Sequence, residues 1–440
     1  MSFVKGLKCR ECGKHYPASP IYVCEFCFGP LEVVYDYEKI KKHLTRDVIT
    51  SRPHNMWRYK ELLPLKISPA SSEQTGSSGL NTGYTPFFRA RNLERYLKAD
   101  EIYIKDDSVN HPTLSFKDRV VAVALRKAKE FGFKIVACAS TGNLANAVAS
   151  HSRQAGFECY VFIPADLEKS KVVSSLIYGA HIVAVNGNYD DVNRLCGEVA
   201  SRYKNWGFVN VNLRPYYAEG SKTYGFEIVE QMGFRVPGNI VVPVASGSLL
   251  TKIYKGIKEF ELLGLITYSK TKIYAAQAEG CSPVVKSIKE NSDVIKPQIP
   301  HTIAKSLAIG NPADGYYARD IVKMTGGSGE SVSDDEIVEG IKILAQTEGI
   351  FTETAGGVAV AVTKKLIGTG AINPHESIVI CITGNGLKTQ EAVVRKVSEP
   401  CAISPTIEAF ESEFILKRSH AASSAAGTKG GKRCQQKPQK

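Results

Sequence analysis

From about Ile102 onward the chain repeats one pattern, in which a short β-rich apolar run is followed by an amphipathic helical stretch and then another run. Strands joined through helices run parallel, so this alternation confines the chain to an α/β fold of mainly parallel sheets covered by helices. The runs fall at Glu101–Lys105, Lys134–Ala139, Glu158–Ile163, His181–Asn186, Asn239–Val244, Lys272–Gln277 and Ser377–Ile382. Helical spacing of apolar residues covers Phe116–Phe131, Leu144–Ala155, Asp190–Tyr203, Ser221–Met232 and Leu249–Leu263. Ser333-Asp334-Asp335-Glu336 reads as a capping box that opens a further helix. At 440 residues the chain exceeds one ordinary domain, and two lobes with a small appendage are expected.

The appendage is marked by Cys9, Cys12, Cys24 and Cys27, a C-x2-C-x11-C-x2-C pattern with Gly13 and Gly29 beside the two pairs. Each pair presents two thiolates to one ion, and the connection suits a hairpin that closes a tetrahedron. So small a segment lacks a core of its own, and a metal ion would supply its folding energy. Four thiolates leave no open position for water, so the expected zinc is structural. The other seven cysteines show no ligand spacing; Cys138, Cys159 and Cys381 fall in apolar strand patterns and read as small core residues.

The formal charge of +12 raises the question of nucleic acid. Beyond Leu416, Lys417, Arg418, Lys429, Lys432, Arg433, Lys437 and Lys440 occur with no acidic residue among Ser, Ala, Gly and Gln. Such a segment cannot bury enough apolar area to fold, so 416–440 reads as a basic disordered tail and the body is only mildly basic. Nucleic-acid binding is disfavoured. No apolar stretch has the length of a bilayer span and the N-terminus lacks a signal-peptide core, so a soluble, cytoplasmic chain is expected.

Four loops carry candidate chemistry. Leu114-Ser115-Phe116-Lys117-Asp118-Arg119 places a lysine in the first turn of a helix, where the dipole disfavours a cation and favours a neutral amine or imine. Ala139-Ser140-Thr141-Gly142-Asn143 joins a strand to a helix, with hydroxyls and free N–H groups suited to an anion. Pro243-Val244-Ala245-Ser246-Gly247-Ser248-Leu249 repeats that architecture without the Lys-Ser/Thr pair of a nucleotide loop. Thr383-Gly384-Asn385-Gly386-Leu387-Lys388 follows the last apolar strand and offers a hydroxyl to a ring nitrogen.

In this order, from about Tyr84 to Lys396, the four loops resemble the β-family of pyridoxal-phosphate enzymes that contains tryptophan synthase β, threonine dehydratase and threonine synthase. The closest resemblance is to the threonine synthase branch, through Ser115–Arg119, Glu219-Gly220-Ser221-Lys222-Thr223, Ile309-Gly310-Asn311-Pro312, Glu348-Gly349-Ile350-Phe351-Thr352-Glu353 and a ribbon ending in Gly29-Pro30-Leu31-Glu32-Val33. The resemblance implies a two-lobed tryptophan synthase β-like fold: a ribbon at 1–36, a linker and arm at 37–84, and a body at 85–400 whose smaller lobe, roughly 113–225, is inserted in the larger. It also implies pyridoxal 5'-phosphate attached to Lys117, its 3'-oxygen at Asn143, its phosphate at Ala245, Ser246, Gly247, Ser248 and Leu249, and its ring nitrogen at Thr383. The implied reaction converts O-phosphohomoserine and water to threonine and phosphate, with Ser140, Thr141, Arg214 and Lys222 as substrate contacts and a homodimer as the assembly. Leu144 stands where many members carry Thr, the 245–249 loop replaces a Gly-Asn-rich one, and Tyr217 stands near an expected arginine. These departures keep threonine or serine dehydration and cysteate synthase-like replacement of the phosphate of phosphoserine as alternatives. Outside enzymes, the alternative is a nucleic-acid-binding or scaffold protein on a degenerate fold.

Overall fold

The structure, a computed structural model, describes residues 2–67, 81–165, 169–187, 189–267, 270–397 and 399–416. The basic tail from Lys417 on, and most of the Ser- and Gly-rich stretch before Tyr84, lie outside the described residues. The described residues divide into two compact units, one ending at Ala392 and the other beginning at Val393. In the second, Thr406 caps the Ile407–Phe410 helix by accepting from the amide of Ala409 at 3.2 Å.

The first unit contains three sheets. β1 (Val4–Cys9), β2 (His15–Tyr16) and β3 (Leu31–Tyr35) form an antiparallel ribbon with β1 in the middle. A six-stranded sheet takes β4 (Phe87–Arg89), β5 (Ile102–Asp106), β10 (Asn239–Pro243), β11 (Lys272–Ala278), β12 (Gly329–Val332) and β13 (Ile378–Ile382) in the order β12-β11-β10-β13-β5-β4. All its pairings are parallel except that of β4 with β5. The four strands between β5 and β10 in sequence, β6 (Ile135–Ala139), β7 (Glu158–Pro164), β8 (His181–Val185) and β9 (Trp206–Phe208), form a separate parallel sheet ordered β8-β7-β6-β9.

Central strands explain the apolar runs of the sequence. Every residue of β10 and of β13 is buried, because helices cover both faces and alternation gives way to continuous Ile, Val and Cys. β4, β9 and β12 have no counterpart among the sequence runs; they are three or four residues long, and β4 and β12 are partly exposed. The predicted capping box is present, with Ser333 accepting from the amide of Glu336 and Glu336 from that of Ser333.

Strand order decides where a ligand can enter. In the larger sheet the order runs outward from β10 through β11 to β12 on one side, and to β13 and β5 on the other. The reversal lies between β10 and β13, and such a switch point opens a crevice at the carboxyl ends of its strands. In the smaller sheet the reversal lies between β6 and β9.

Two further features hold the helices around that crevice. The Lys222–Gln231 and Ser248–Leu262 helices touch through glycine: a Cβ on Gly225 would lie 2.7 Å from the carbonyl oxygen of Ile253, and one on Gly256 3.0 Å from that of Lys222. In the core below Lys117, the fully buried Arg119 forks onto Asp107 (Nε to Oδ2 2.7 Å) and Glu227 (Nη2 to Oε2 2.8 Å), and Lys105 meets Glu227 at 2.7 Å. Glu227 also accepts the amides of Tyr84 (2.7 Å) and Thr85 (3.3 Å). Burial alone would raise the Glu227 carboxyl, but Arg119 and Lys105 outweigh it and hold it at about 2.

With its folded value below the unfolded one, Glu227 contributes stability that is complete above about pH 4.5 and is lost as the pH falls through about 2. Glu227→Gln, which leaves buried Lys105 without its carboxylate and Arg119 with Asp107 alone, is expected to cost about 3–5 kcal/mol at neutral pH. Denaturant unfolding of both proteins from pH 6 downward should show this gap closing between about 4.5 and 2; a gap independent of pH would refute the role given to the charge.

Candidate active site

Lys117 is the first residue of the Lys117–Glu130 helix, and the loop before it is fixed by three sets of contacts. Asp118 folds back to accept from the hydroxyl of Thr113 at 2.8 Å and its amide at 3.1 Å, and His151 meets the same carboxylate at 3.2 Å. The amide of Phe116 donates to the carbonyl of Thr383 at 2.8 Å, and that of Asn385 to the carbonyl of Leu114 at 3.1 Å. Leu114 adopts φ 59°, a left-handed turn. Lys117 is therefore tied by backbone bonds to the loop that leaves β13, and its Nζ donates to the hydroxyl of Tyr217 at 3.2 Å.

The Thr383 loop meets the loop after β6 through one side chain. Buried Glu353 accepts from the amide of Asn143 (Nδ2 to Oε2 2.8 Å) and from the hydroxyl of Thr383 (Oγ1 to Oε1 3.1 Å). Its own amide donates to the carbonyl of Gly384 at 2.9 Å, and a Cβ on Gly384 would lie 2.6 Å from its carboxyl carbon. Glu353 occurs in one of the motifs that carried the resemblance, but nothing local in the sequence marks it as the link between residues 210 and 30 positions away. Ser140 and Thr141 lie half-buried between β6 and the Asn143–Ala155 helix, and the Ser140 hydroxyl accepts from the amide of Gly142 at 3.4 Å.

The Ala245–Leu249 loop follows β10, the immediate neighbour of β13, and leads into the Ser248–Leu262 helix without a side-chain cap. Its first amides are thus available to an anion. Gly247 there has φ 98°, and a Cβ would lie 2.6 Å from the carbonyl oxygen of Asp314, so no other residue fits without displacing that backbone.

The structure does not bring every expected residue to this crevice. Lys222 has no exposed side-chain surface; its ammonium lies between Glu219 (2.7 Å) and Glu259 (2.9 Å) and above the ring of Tyr35. Its charge is spent inside the protein, which corrects the expectation that it meets a substrate phosphate. Arg214 pairs with Asp314 at 3.1 Å and lines a small cavity with Arg10, Glu32 and Lys252. Tyr217, noted in the sequence only as a departure, is the residue of that segment that reaches Lys117.

The four ribbon cysteines converge, with all Sγ atoms within 4.8 Å of one another, Cys9 to Cys27 at 3.4 Å and Cys12 to Cys24 at 3.6 Å. Zinc–sulfur bonds of about 2.3 Å in a tetrahedron place sulfurs about 3.8 Å apart, so the cluster fits that ion. Tyr16 approaches the Cys24 sulfur at 3.0 Å and the amide of Phe26 donates to it at 3.4 Å, an outer layer that supports a thiolate.

An amine beside a phenol, two donors that converge on one point and a run of uncapped amides together suit a carbonyl compound that carries an anion. Comparison with known proteins agrees. Residues 79–384 match the model of the pyridoxal-phosphate dependent enzyme family, and residues 8–32 match that of NinF protein. A threonine synthase of Methanocaldococcus jannaschii is 38% identical over 90% of this chain and 96% of its own, and one of Methanosarcina acetivorans 38% identical over 93% and 99%. The processed form of threonine deaminase isoform 2 from Solanum lycopersicum superposes with a TM-score of 0.59 at 21% identity, covering 71% of this chain and 83% of that one, and shares the fold. The chain belongs to the threonine synthase family of pyridoxal-phosphate dependent enzymes.

Proposed function

We propose that this pyridoxal-phosphate dependent lyase converts O-phosphohomoserine and water to threonine and phosphate. The observation that carries the reading is the likeness to threonine synthases along nearly their whole length, cysteine ribbon included. In the net reaction the C–O bond at Cγ breaks with loss of phosphate, water supplies a hydroxyl to Cβ, and Cγ ends as a methyl group. Pyridoxal phosphate, when bound, draws electrons from the substrate and makes the protons on Cα and Cβ removable. Lys117 carries the cofactor, and its amine takes the Cα proton and returns one to the product. The amide of Asn143 holds the cofactor's ring oxygen with the N–H not given to Glu353, the Thr383 hydroxyl its ring nitrogen by exchange of its bond to Glu353, and the amides of 245–249 its phosphate. A hydroxyl at the ring nitrogen, rather than a carboxylate, suits elimination and replacement chemistry.

Ser140 and Thr141 offer hydroxyls to the substrate's carboxylate or phosphate. With Lys222 enclosed, Arg214 is the remaining cation of the segment for the leaving phosphate, by exchange of its partner Asp314. A zinc ion held by Cys9, Cys12, Cys24 and Cys27 completes the ribbon in a structural role. Among the described residues no helix is long and apolar enough to cross a membrane.

Purified protein supplied with O-phosphohomoserine, phosphoserine or threonine is expected to release phosphate and threonine in equal amounts from the first alone. Deamination of threonine without reaction of phosphohomoserine would establish a dehydratase instead. Lys117→Ala should lower turnover by on the order of a thousand-fold or more and abolish borohydride-stable labelling of the Lys117 peptide; label on another lysine would reassign the site. Metal analysis should find one zinc per chain, lost in Cys24→Ser, and a full complement in that variant would exclude the cluster. Gly247→Ala, strained at φ 98° and in collision with Asp314, should weaken cofactor binding by about ten- to a hundred-fold in equilibrium titration, and unchanged affinity would remove this loop from the phosphate.

A further inference from the structure

The Arg214–Glu219 helix is six residues long, too short to hold its own position, and its neighbours therefore set where it lies. On the side of the Lys117–Glu130 helix it ends at Gly220, where a Cβ would lie 2.6 Å from the carbonyl oxygen of Arg119, and it presents the Tyr217 hydroxyl to Lys117.

It also meets the cysteine ribbon and the two helices that follow it. The hydroxyl of Tyr216 donates to the carbonyl of Ser19 at 2.9 Å. Fully buried Glu219 accepts from the hydroxyl of Tyr35, the last residue of β3, at 2.9 Å. The same carboxylate receives the ammonium groups of Lys222 and Lys252 at 2.7 Å each and of Lys255 at 3.1 Å. Lys252 and Lys255 also meet Glu32 of β3 at 2.5 and 3.4 Å, and Lys222 meets Glu259, which accepts from the hydroxyl of Tyr37 at 2.8 Å. Three carboxylates thus face three ammonium groups, with members supplied by the ribbon, the short helix and the two helices after it. Displacing any one member strands a charge out of water, so the cluster permits one arrangement of these elements.

We propose that the ribbon is a positioning element of the active site: through Tyr35 and Glu32 it fixes Glu219, and the short helix transmits that constraint as the separation between the Tyr217 hydroxyl and Lys117 Nζ. Tyr217 is the catalytic residue of this relay, since it touches the reacting amine; accepting one N–H of Lys117 directs the remaining valences of nitrogen toward the crevice. Glu219, Glu32 and Tyr35 are positioning residues. The inference rests on the reading of Lys117 as the cofactor's lysine, which the labelling of its peptide tests separately.

A double-mutant cycle on the full-length protein separates this role from mere support of the fold. Tyr35→Phe, Tyr217→Phe and the double variant are compared by the pH profile of turnover in the holoenzyme, and by the rate at which an amine-selective reagent modifies Lys117 in cofactor-free protein, read by peptide mass. Tyr217→Phe is expected to change the modification rate about ten-fold and to move the pH profile of turnover, and Tyr35→Phe to change the rate in the same direction by about three-fold or more and to move the profile the same way. The double variant should match Tyr217→Phe alone, because in this relay the ribbon acts on the amine through Tyr217. Effects that multiply, or a Tyr35→Phe protein with unaltered Lys117 reactivity, would overturn the proposal. If Tyr35→Phe does not fold, as read by its thermal transition, Glu32→Gln takes its place in the same cycle with the same two outcomes.

Discussion

Two residues beyond Lys117, a guanidinium without solvent contact is divided between Asp107, just past the end of β5, and Glu227, in the Lys222–Gln231 helix. Arg119 belongs to neither of those elements; it comes from the helix that leads into the smaller sheet. One planar fork therefore fixes three separate segments at once, and Lys105 balances the second carboxylate. Planar, doubly donating geometry is specific to arginine, and a lysine here would satisfy fewer oxygens and leave the rest buried without partners. Lys117 and Arg119 share one turn, so the backbone that carries Lys117 is held by the same fork that orders the core.

The crevice itself follows from strand order. Loops leaving β10 and β13 must diverge at the switch point, and the chain fills that edge with small and hydroxylated residues so that backbone amides and short side chains line it. The charged groups of the surroundings are paired among themselves: Arg214 with Asp314, Lys222 with Glu219 and Glu259, Arg119 with Asp107 and Glu227. Lys117, whose polar partner is a phenol, stands apart from these ion pairs.

Much of this was legible from residues alone, and the exceptions share a cause. β10 and β13 announce themselves because strands covered on both faces are continuously apolar, and the turns after β6 and β10 because small residues between a strand and a helix have few other uses. β4, β9 and β12 are too short to show a period. The contacts of Glu353 and the enclosure of Lys222 depend on partners far away in sequence, and Tyr35 lies in a ribbon that reads as an independent module. A lysine next to Gly, Ser and Thr looks like a ligand for phosphate; only the fold reveals that carboxylates already surround it. Local chemistry singled out loops that the fold brings to one crevice, whereas the identity of each side chain's neighbour was a property of the assembled helices.

The seam at Gly225 and Gly256 gears two helices together. With backbone against backbone there is no layer of side chains to absorb a shift, so the uncapped amides at Ser248 and the carboxylate cluster near Lys222 move as one body. A methyl group added at either glycine, remote from Lys117, would wedge the helices apart and misalign the uncapped end of one against the ionic anchor of the other. Sensitivity to substitution in this chain thus extends along a line of missing side chains, where the constraint lies in what must not be present.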